Sequence, residues 1–536
     1  MQRPEFWDRL LGFLGGCGFN ALTLWSIHPW SLMVRPVEWP DACAFDDAEL
    51  DRWQQLWHHI FRTGVENGIE IIPMCFNIFV SPELAESRGI AAYSRDLSTG
   101  YNGEGDYSEE VREYNRAILR QVLETYTEIG GIGVSQNERM EGGTLEQWQQ
   151  WIADTYFDIA EKYLQGKTFI VRAHTRPRPE MTRAALESYP GKLPQRTLVD
   201  VKFNWSHGHA TPEFHYMHEG ASDAPLREPA PDRYRLVYTI RNEDFFGLDY
   251  GSTSFMRELA AANSAGTTGG FIVGSECLIP AEEYIVQPDR AAAERGWSFL
   301  FERQAMFWCG WGSVLSDPTA RIPHIAARLE AVTKSGADST YVDPQALLEA
   351  ADLACRSANA IASSIASTWD FTHYTEGMLK GVRQDWFGQP FDPASPLISV
   401  DELSDARPLD PSWSTIRGWV DDGEPAAATT PLDRAARLRE DCSTALSMLD
   451  ELEKREAASG IEAYDRASTR AWAHLGLCFA DRLEAAVARC RGGAAARTEQ
   501  VRLLERGREH YRALCDALDA WIPRPYELLH LGDNFI

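Results

Sequence analysis

Glu138 follows an amide residue, Asn137, at the end of the apolar run GIGVSQNE (131–138). A carboxyl group beside an amide suits glycoside hydrolysis, because the amide can hold a sugar hydroxyl while the carboxyl group protonates the leaving oxygen. The alternative interpretation is a glutamate that caps a helix or pairs with Arg139. The Gly-Gly loop (142–143) that follows the run favours a catalytic role for Glu138.

Two more carboxylate positions follow apolar runs in the same way. The run YRLVYTIRNED (234–244) ends in Arg241, Asn242, Glu243 and Asp244, and the run GGFIVGSE (269–276) ends in Glu276. Charged groups are not buried without a partner or a purpose, so each position predicts either a structural ion pair or a catalytic carboxylate. If the strand continues, residues 243 and 244 point to opposite faces, and only one of them enters a cavity.

Other polar and aromatic side chains near the run ends predict a sugar-binding surface. Aromatic rings stack on pyranose faces, and arginine or lysine pairs with the carboxylate of an acidic sugar. The predicted substrate-binding residues are Trp25, His28, Asn77, Asn137, Arg172, Lys202, Asn204, Trp205, Arg241, Glu243, Trp369, Asp370 and Tyr374. For any single ring, a place in the hydrophobic core is the alternative. The two histidines of WSHGH (205–209) have no third ligand nearby in sequence, so no metal is predicted, and no cofactor is expected.

The elements that must position these residues alternate between short apolar runs and helix-like stretches up to about residue 315. This alternation is typical of parallel strands with crossover helices. The predicted strands are 18–26, 69–79, 131–138, 168–175, 197–205, 234–244 and 269–276. In a parallel barrel the C-terminal ends of all strands face one mouth, so the predicted site residues would meet there.

An eighth strand is ambiguous. The run AMFWCGWGSV (305–314) would close the barrel as a strand, but the helical sequence that leads into it favours a helix. The first barrel strand is then expected to precede Met1. The predicted fold is therefore an α/β (β/α)8 TIM-type barrel at 1–315 that lacks its first strand on this interpretation.

Ala-rich amphipathic patterns begin at about residue 320 and predict an α-helical C-terminal domain at 316–536. An aromatic-rich segment at 368–396 interrupts these helices. We expect it to contribute to the barrel mouth, because a solvent-facing loop of this composition would leave an apolar patch exposed. The alternative is that its rings only attach the helical domain to the outside of the barrel.

Composition excludes several classes of partner. The 52 Lys and Arg against 79 Asp and Glu give a net charge of −27, which repels nucleic acid and anionic membrane surfaces. The ten cysteines include no CxxC pair and are interpreted as reduced core thiols. The sequence contains neither an apolar run of 18 residues nor a secretion signal, so a cytoplasmic location is expected. A homodimer is left open.

Three segments, together with the order of elements, carry a family resemblance: PEFWDRLLGFLGGCGFNALTLWS, GIGVSQNERM and ERQAMFWCGWGSVLSDP. They resemble the α-glucuronidases of glycoside hydrolase families 67 and 115, and more loosely the family 20 hexosaminidases, over roughly residues 1–390. The resemblance implies an exo-acting hydrolase directed at uronic acids. It also implies Glu138 as the acid and Asp244 with Glu276, 32 residues apart, as the pair that activates water. Families 67 and 115 commonly have a large N-terminal domain, which we expect to be absent here.

The predicted function is glycoside hydrolysis, with an oligosaccharide or polysaccharide fragment as the partner. Glu138 donates the proton, and Asp244 or Glu276 activates water or attacks the anomeric carbon. One alternative is a barrel lyase or isomerase that acts on acidic sugars, which a metal at the carboxylate cluster would distinguish. The other is a non-catalytic glycan-binding protein that keeps the aromatic mouth.

Overall fold

The computed structural model describes most of the 536-residue chain. The described residues are 2–26, 29–76, 78–90, 107–135, 144–173, 179–202, 222–241, 247–264, 266–274, 283, 286, 292–336, 341–365, 373–374, 376, 379–380, 398–410, 412–423, 429–455 and 457–522.

The described residues contain two sheets and a large number of helices. The strands are β1 (Ala21–Ser26), β2 (Glu70–Phe76), β3 (Gly131–Ser135), β4 (Thr168–Ala173), β5 (Arg196–Lys202), β6 (Arg235–Arg241), β7 (Thr268–Gly274), β8 (His373–Tyr374) and β9 (Leu379–Lys380). The helices of the first half are α1 (Pro4–Cys17), α2 (Asp47–Glu66), α3 (Pro82–Arg88), α4 (Glu109–Thr125), α5 (Leu145–Ile152), α6 (Asp158–Tyr163), α7 (Pro179–Ser188), α8 (Ala224–Arg227), α9 (Thr253–Asn263), α10 (Ala292–Arg295), α11 (Leu300–Arg303) and α12 (Ala305–Ser316). The later helices are α13 (Ile322–Gly336), α14 (Pro344–Ala354), α15 (Arg356–Ser363), α16 (Val400–Asp405), α17 (Ile416–Asp422), α18 (Pro431–Arg455), α19 (Gly460–Arg491) and α20 (Gly493–Leu518).

Strands β1 to β7 form one parallel sheet in sequence order, with helices between successive strands. The seven predicted strands are thus confirmed, and the fold is a (β/α)8-like barrel followed by a helical region. Inward and outward side chains alternate along each strand. Outward residues pack against the helices, as where the Cys75 thiol lies 3.5 Å from the Tyr156 hydroxyl. Inward residues form a separate apolar cluster in the barrel interior, made of Ile72, Met74 and Ile170 with Trp25 and Leu198 packed against it.

Strand β3 has glycine at its first two inward positions, where the neighbouring strands already fill the space. A Cβ atom on Gly133 would lie 1.9 Å from the sulfur of Met74 on β2. A Cβ atom on Gly131 would lie 1.9 Å from the carbonyl oxygen of Thr168 on β4. The outward residues of β3, Ile132 and Val134, are fully buried against helices. The small inward residues therefore let β2, β3 and β4 curve around a packed interior.

Strands β1 and β7 lie at the two edges of the sheet, and no eighth strand joins them among the described residues. The run AMFWCGWGSV is helical, as predicted, and forms most of α12. Helix α12 contacts both α1, which precedes β1, and β7. At the contact with α1, the sulfur atoms of Cys17 and Cys309 lie 3.3 Å apart as free thiols. Burial raises the pKa of the Cys17 thiol, which keeps it protonated.

The region after α12 is helical, as predicted, apart from the short β8–β9 ribbon inside the aromatic-rich segment. Helix α19 lies at its centre and contacts α14 to α18 and α20, so it is buried on several sides. Helices α12 and α14 both pack against α9 of the barrel. The division of the chain into domains at residue 315 therefore stays a prediction. Among the helices that the structure describes, none combines the length and the hydropathy needed to cross a bilayer.

Candidate active site

The three predicted catalytic carboxylates follow strands whose ends are described. Strand β3 ends at Ser135, β6 at Arg241 and β7 at Gly274. Glu138, Asp244 and Glu276 themselves lie outside the described residues, two or three positions beyond these ends. Strands β6 and β7 are neighbours, whereas β4 and β5 separate β3 from β6. The catalytic assignments stay predictions.

Most predicted substrate-binding residues also lie outside the described residues. This holds for His28, Asn77, Asn137, Asn204, Trp205, Glu243, Trp369 and Asp370. Lys202, Arg241 and Tyr374 are the last residues of β5, β6 and β8, and the structure describes their backbone. Trp25 and Arg172 are described in full, and the structure brings these two together.

Trp25 and Arg172 belong to a group of inward side chains at the C-terminal ends of the strands, which we call the mouth layer. The mouth layer consists of Trp25, Phe76, Arg172, Asp200 and Thr239, from β1, β2, β4, β5 and β6. The strand register places Phe76, Arg172 and Asp200 at one level, with Ser135 of β3 between the first two. Trp25 pairs with Met74 and Thr239 with Lys202, so each lies one inward position away from this level, and the group lines the C-terminal part of the barrel interior beneath the mouth.

Contacts within the mouth layer cross the barrel interior. The guanidinium carbon of Arg172 lies 4.7 Å from the centroid of the Trp25 ring, although their strands, β4 and β1, are not neighbours. The Trp25 and Phe76 ring centroids are 6.2 Å apart. On the other side, Arg172 Nε lies 3.8 Å from a carboxylate oxygen of Asp200. The Thr239 hydroxyl donates a hydrogen bond of 2.6 Å to the second oxygen of Asp200.

Both charges of this pair are buried, since the side chains of Arg172 and Asp200 are 3% and 2% exposed. Attraction between charges is stronger where water is excluded, and the pair therefore holds the guanidinium in place against the Trp25 ring. The arrangement places a guanidinium group, paired with a carboxylate, and an aromatic ring beneath the mouth. Whether Arg172 contacts substrate, as predicted from the sequence, stays a prediction.

Sequence reasoning missed Asp200. Its signal was present, because the one acidic residue of the strand sequence TLVDVK (197–202) stands at an inward position between Leu198 and Lys202. A buried carboxylate needs a partner, and the partner is on the adjacent strand. The sequence does not reveal that β4 carries it, because pairing depends on the strand order.

The connection from β6 to α9 is the other described part of the mouth, and it begins three residues after Asp244. Residues 247–251 are bonded through their backbone to later parts of the chain. The amides of Gly247 and Leu248 donate to one carboxylate oxygen of Glu376, at 2.8 Å and 2.6 Å. Glu376 lies between β8 and β9, so this described residue of the aromatic-rich segment reaches the C-terminal end of the barrel.

The following residue of the connection, Asp249, is fully buried against α19. Its amide donates to the Ser468 hydroxyl at 2.7 Å, and its carbonyl oxygen accepts from the Trp472 indole at 2.8 Å. Burial raises the pKa of the Asp249 carboxyl to about 7, and Arg303 partly offsets this effect. The Asp249 carboxyl therefore stays protonated well above the pH at which an exposed aspartate ionises.

Within the part of the chain that the structure describes, no three His, Cys, Asp or Glu side chains are grouped as metal ligands. The two histidines of WSHGH, at positions 207 and 209, lie outside that part.

Parallel strands in a barrel-like sheet, with helices between them and a helical region that contacts the C-terminal end of the barrel, define a (β/α)8-like barrel fold. No known protein family and no curated protein matches the chain. Among solved structures, a GH138 enzyme targeting pectin rhamnogalacturonan II is similar over 99% of this chain and 75% of that chain, with a TM-score of 0.73 and 15% identity. A mutant of the Thermobaculum terrenum O-GlcNAc hydrolase matches 96% of this chain and 87% of its own, with a TM-score of 0.40 and 12% identity. The similar structures include glycoside hydrolases, and at 15% identity the first similarity shows a shared fold.

Proposed function

We propose that this protein hydrolyses a glycosidic bond in a glycan that contains uronic acids. One observation carries the proposal: β3, β6 and β7 run parallel in one barrel-like sheet, and each ends two or three residues before a predicted catalytic carboxylate. The C-terminal ends of parallel barrel strands surround a common mouth, which is where active sites of this fold lie. The fold shared with a GH138 enzyme that targets a pectin supports both the reaction and an acidic glycan as substrate.

In the proposed mechanism Glu138 protonates the leaving oxygen from one side of the mouth. Asp244 and Glu276, after the neighbouring strands β6 and β7, act from the other side. One of them activates water, which inverts the anomeric centre, or attacks it directly, which retains the configuration. The mouth layer contributes the Trp25 ring as a stacking surface and the fixed charge of Arg172 for an acidic sugar. Exo-action and the α-glucuronidase-like specificity are further predictions within this proposal.

The test begins with a screen of aryl glycosides and uronic-acid-containing oligosaccharides at about pH 5 to 7, the range in which a carboxyl general acid operates. We expect the wild-type protein to release a sugar from at least one acidic oligosaccharide. The anomer that appears first by NMR distinguishes inversion from retention. A wild-type protein that hydrolyses none of these substrates would refute the proposal.

The assignment of Glu138 is tested with Glu138→Gln on the substrate found by the screen. We expect kcat to fall by about 10²- to 10⁴-fold, because the amide cannot donate the proton. Activity should recover on an aryl glycoside whose leaving group needs no protonation. Glu70→Gln is the matched control, since Glu70 is at the N-terminal end of β2, opposite the mouth, and should leave kcat unchanged. Wild-type kcat in Glu138→Gln would show that the acid is another residue.

A further inference from the structure

The connection between β6 and α9 is hydrogen-bonded through its backbone to several side chains from later parts of the chain. Over residues 247–251, the acceptors and donors that bond its backbone come from five side chains outside the barrel sheet: Glu376, Arg303, Ser468, Trp472 and Cys355. Glu376 lies in the β8–β9 ribbon, Arg303 in α11, and Ser468 and Trp472 in α19. Cys355 directly precedes α15. Buried backbone groups need partners, but elsewhere they find them mainly in other backbone.

Both backbone polar groups of Gly247 are hydrogen-bonded to side chains. Its amide donates to Glu376, and its carbonyl oxygen accepts a 2.9 Å hydrogen bond from Arg303. Leu248 shares the same oxygen of Glu376 and is fully buried. The bond from the charged Arg303 is stronger than a bond between neutral groups, and all three bonds are shielded from water. The backbone is therefore fixed three residues after Asp244.

Arg303 joins this point to the connection that follows β7. Its Nε atom donates a 2.8 Å hydrogen bond to Glu283, which lies seven residues after Glu276. The side chains of Arg303 and Glu283 are both completely buried. Arg303 also donates to the Tyr464 hydroxyl of α19 at 3.0 Å. One guanidinium thus connects the two segments that carry the predicted carboxylates of β6 and β7 with the helical region.

We propose that Glu376 is a positioning residue for catalysis, which acts by fixing Gly247 and Leu248 together with Arg303. The inference rests on the proposed function, because it assigns to Glu376 the placement of the strand end that carries Asp244. Glu376 contributes hydrogen-bond acceptors and does no proton transfer itself. The helical region and the β8–β9 ribbon are then part of the active-site scaffold of the barrel.

The test compares Glu376→Ala, which removes the oxygen that accepts from both amides, with Glu376→Gln, which keeps a carbonyl oxygen for them. On the substrate found by the screen we expect kcat of Glu376→Ala to fall by about 10- to 100-fold, as for a reacting group misplaced by about 1 Å. KM should change much less, and Glu376→Gln should retain most of the wild-type kcat. If Glu376→Ala does not fold, Glu376→Asp withdraws the acceptor by one methylene group and should give an intermediate kcat.

Asp481→Ala is the matched structural control. Asp481 is a fully buried carboxylate of α19 that accepts hydrogen bonds from Arg439 of α18 at 2.5 Å and from Arg506 of α20 at 2.8 Å. Its loss should lower the melting temperature at least as much as Glu376→Ala while kcat stays at the wild-type value. A kcat that falls equally in both variants would mean that Glu376 acts only through overall stability, and would overturn the proposal. A Glu376→Gln variant as inactive as Glu376→Ala would overturn it too, because the carboxyl group itself would then be required.

Amide hydrogen exchange provides a measurement that needs no substrate. Loss of the Glu376 acceptors should speed exchange at Gly247 and Leu248 by about 10-fold or more, whereas Asp481→Ala should leave these amides unchanged. Unchanged exchange in Glu376→Ala would show that Glu376 does not fix the connection. A wild-type protein inactive on every glycan would refute the proposed function, and the exchange rates would still decide whether Glu376 holds this segment.

Discussion

Strand β5 carries an ion pair at each of its ends, and the two pairs differ in surroundings. At the start of the strand, Arg196 contacts Glu70 of β2 with two hydrogen bonds of 2.5 Å and 2.8 Å. Near its end, Asp200 contacts Arg172 of β4 at 3.8 Å. The first pair is 50% and 33% exposed, whereas the second is 2% and 3% exposed.

The exposed pair therefore has the shorter and more numerous contacts. An exposed pair gains little, because water and salt screen the attraction and two long side chains lose their freedom. A buried pair contributes little beyond an apolar core, but the loss of one partner leaves the other charge uncompensated in a medium that cannot solvate it. The comparison shows that hydrogen-bond length alone does not indicate how much an ion pair matters for stability. Burial of the pair decides how much stability is lost when one of its charges is removed, so we expect the larger loss at the mouth.

The largest difference between the ends should appear on removal of Asp200. We expect Asp200→Ala to lower the free energy of unfolding by about 3–5 kcal/mol, since it removes a buried carboxylate that pairs with Arg172 and accepts a hydrogen bond from Thr239. Urea denaturation followed by tryptophan fluorescence measures this loss. Asp200→Asn keeps an acceptor for the Thr239 hydroxyl, so it should lose less than Asp200→Ala. A loss below about 1 kcal/mol for Asp200→Ala would remove the contrast between the two ends, because that is the range of exposed pairs.

The strands that carry these ion pairs, and the helix that follows the sheet, could be predicted from the sequence. The seven strands follow from their apolar runs, and α12 was correctly separated from them because the sequence before it has a helical pattern, although the structure divides this stretch into α10, α11 and α12. Local patterns sufficed for these elements, since strand and helix periodicity is written in neighbouring residues. The sequence analysis predicted that the polar residues at the ends of the strands lie at one mouth of the barrel. This prediction followed from the parallel strand order alone.

The contacts that join distant segments could not be predicted in the same way. Arg172 was identified as a cation for substrate, but its partner Asp200 depends on which strands are neighbours. Glu376 was noticed only as part of an aromatic-rich segment, and its contact with Gly247 joins residues 129 positions apart. No local pattern encodes such a pairing, because it results from the packing of the helical region on the barrel. The catalytic roles of Glu138, Asp244 and Glu276 stay predictions.

The second difference between the ends concerns pH. The Asp249 carboxyl, in the connection that follows β6, has a pKa raised by burial to about 7, while the unfolded chain has the ordinary aspartate value. Below about pH 4 both states are protonated, and the stabilising contribution is fully present. As the pH rises towards 7, the unfolded state ionises while the folded state does not, so stability is lost, by a few kcal/mol at most.

Asp249→Asn removes this effect, because the amide does not ionise. The variant should therefore gain stability relative to the wild type as the pH rises from about 4 to 7, and the gain should level off above the folded pKa. The pKa of the nearby Asp465 is raised by burial and also by the charge of Asp249, so loss of that charge in the variant lowers the pKa of Asp465 and adds to the gain. Melting temperatures of the two proteins across this range measure the gain. Parallel curves would show that Asp249 ionises in the folded protein as readily as in the unfolded chain.

The smallest effect is expected at the N-terminal end of the barrel. Glu70→Gln removes the charge that faces Arg196 but keeps an acceptor for the Thr168 hydroxyl, which donates to Glu70 at 3.0 Å. Because both charged side chains are solvated, the free energy of unfolding should fall by less than about 1 kcal/mol. The loss should nearly vanish at about 1 M salt, where charges are screened over about 3 Å. Denaturation of wild-type and variant protein at low and high salt checks both points. A salt-independent loss comparable with that of Asp200→Ala would mean that the two ends depend equally on their charges, and that exposure does not separate them.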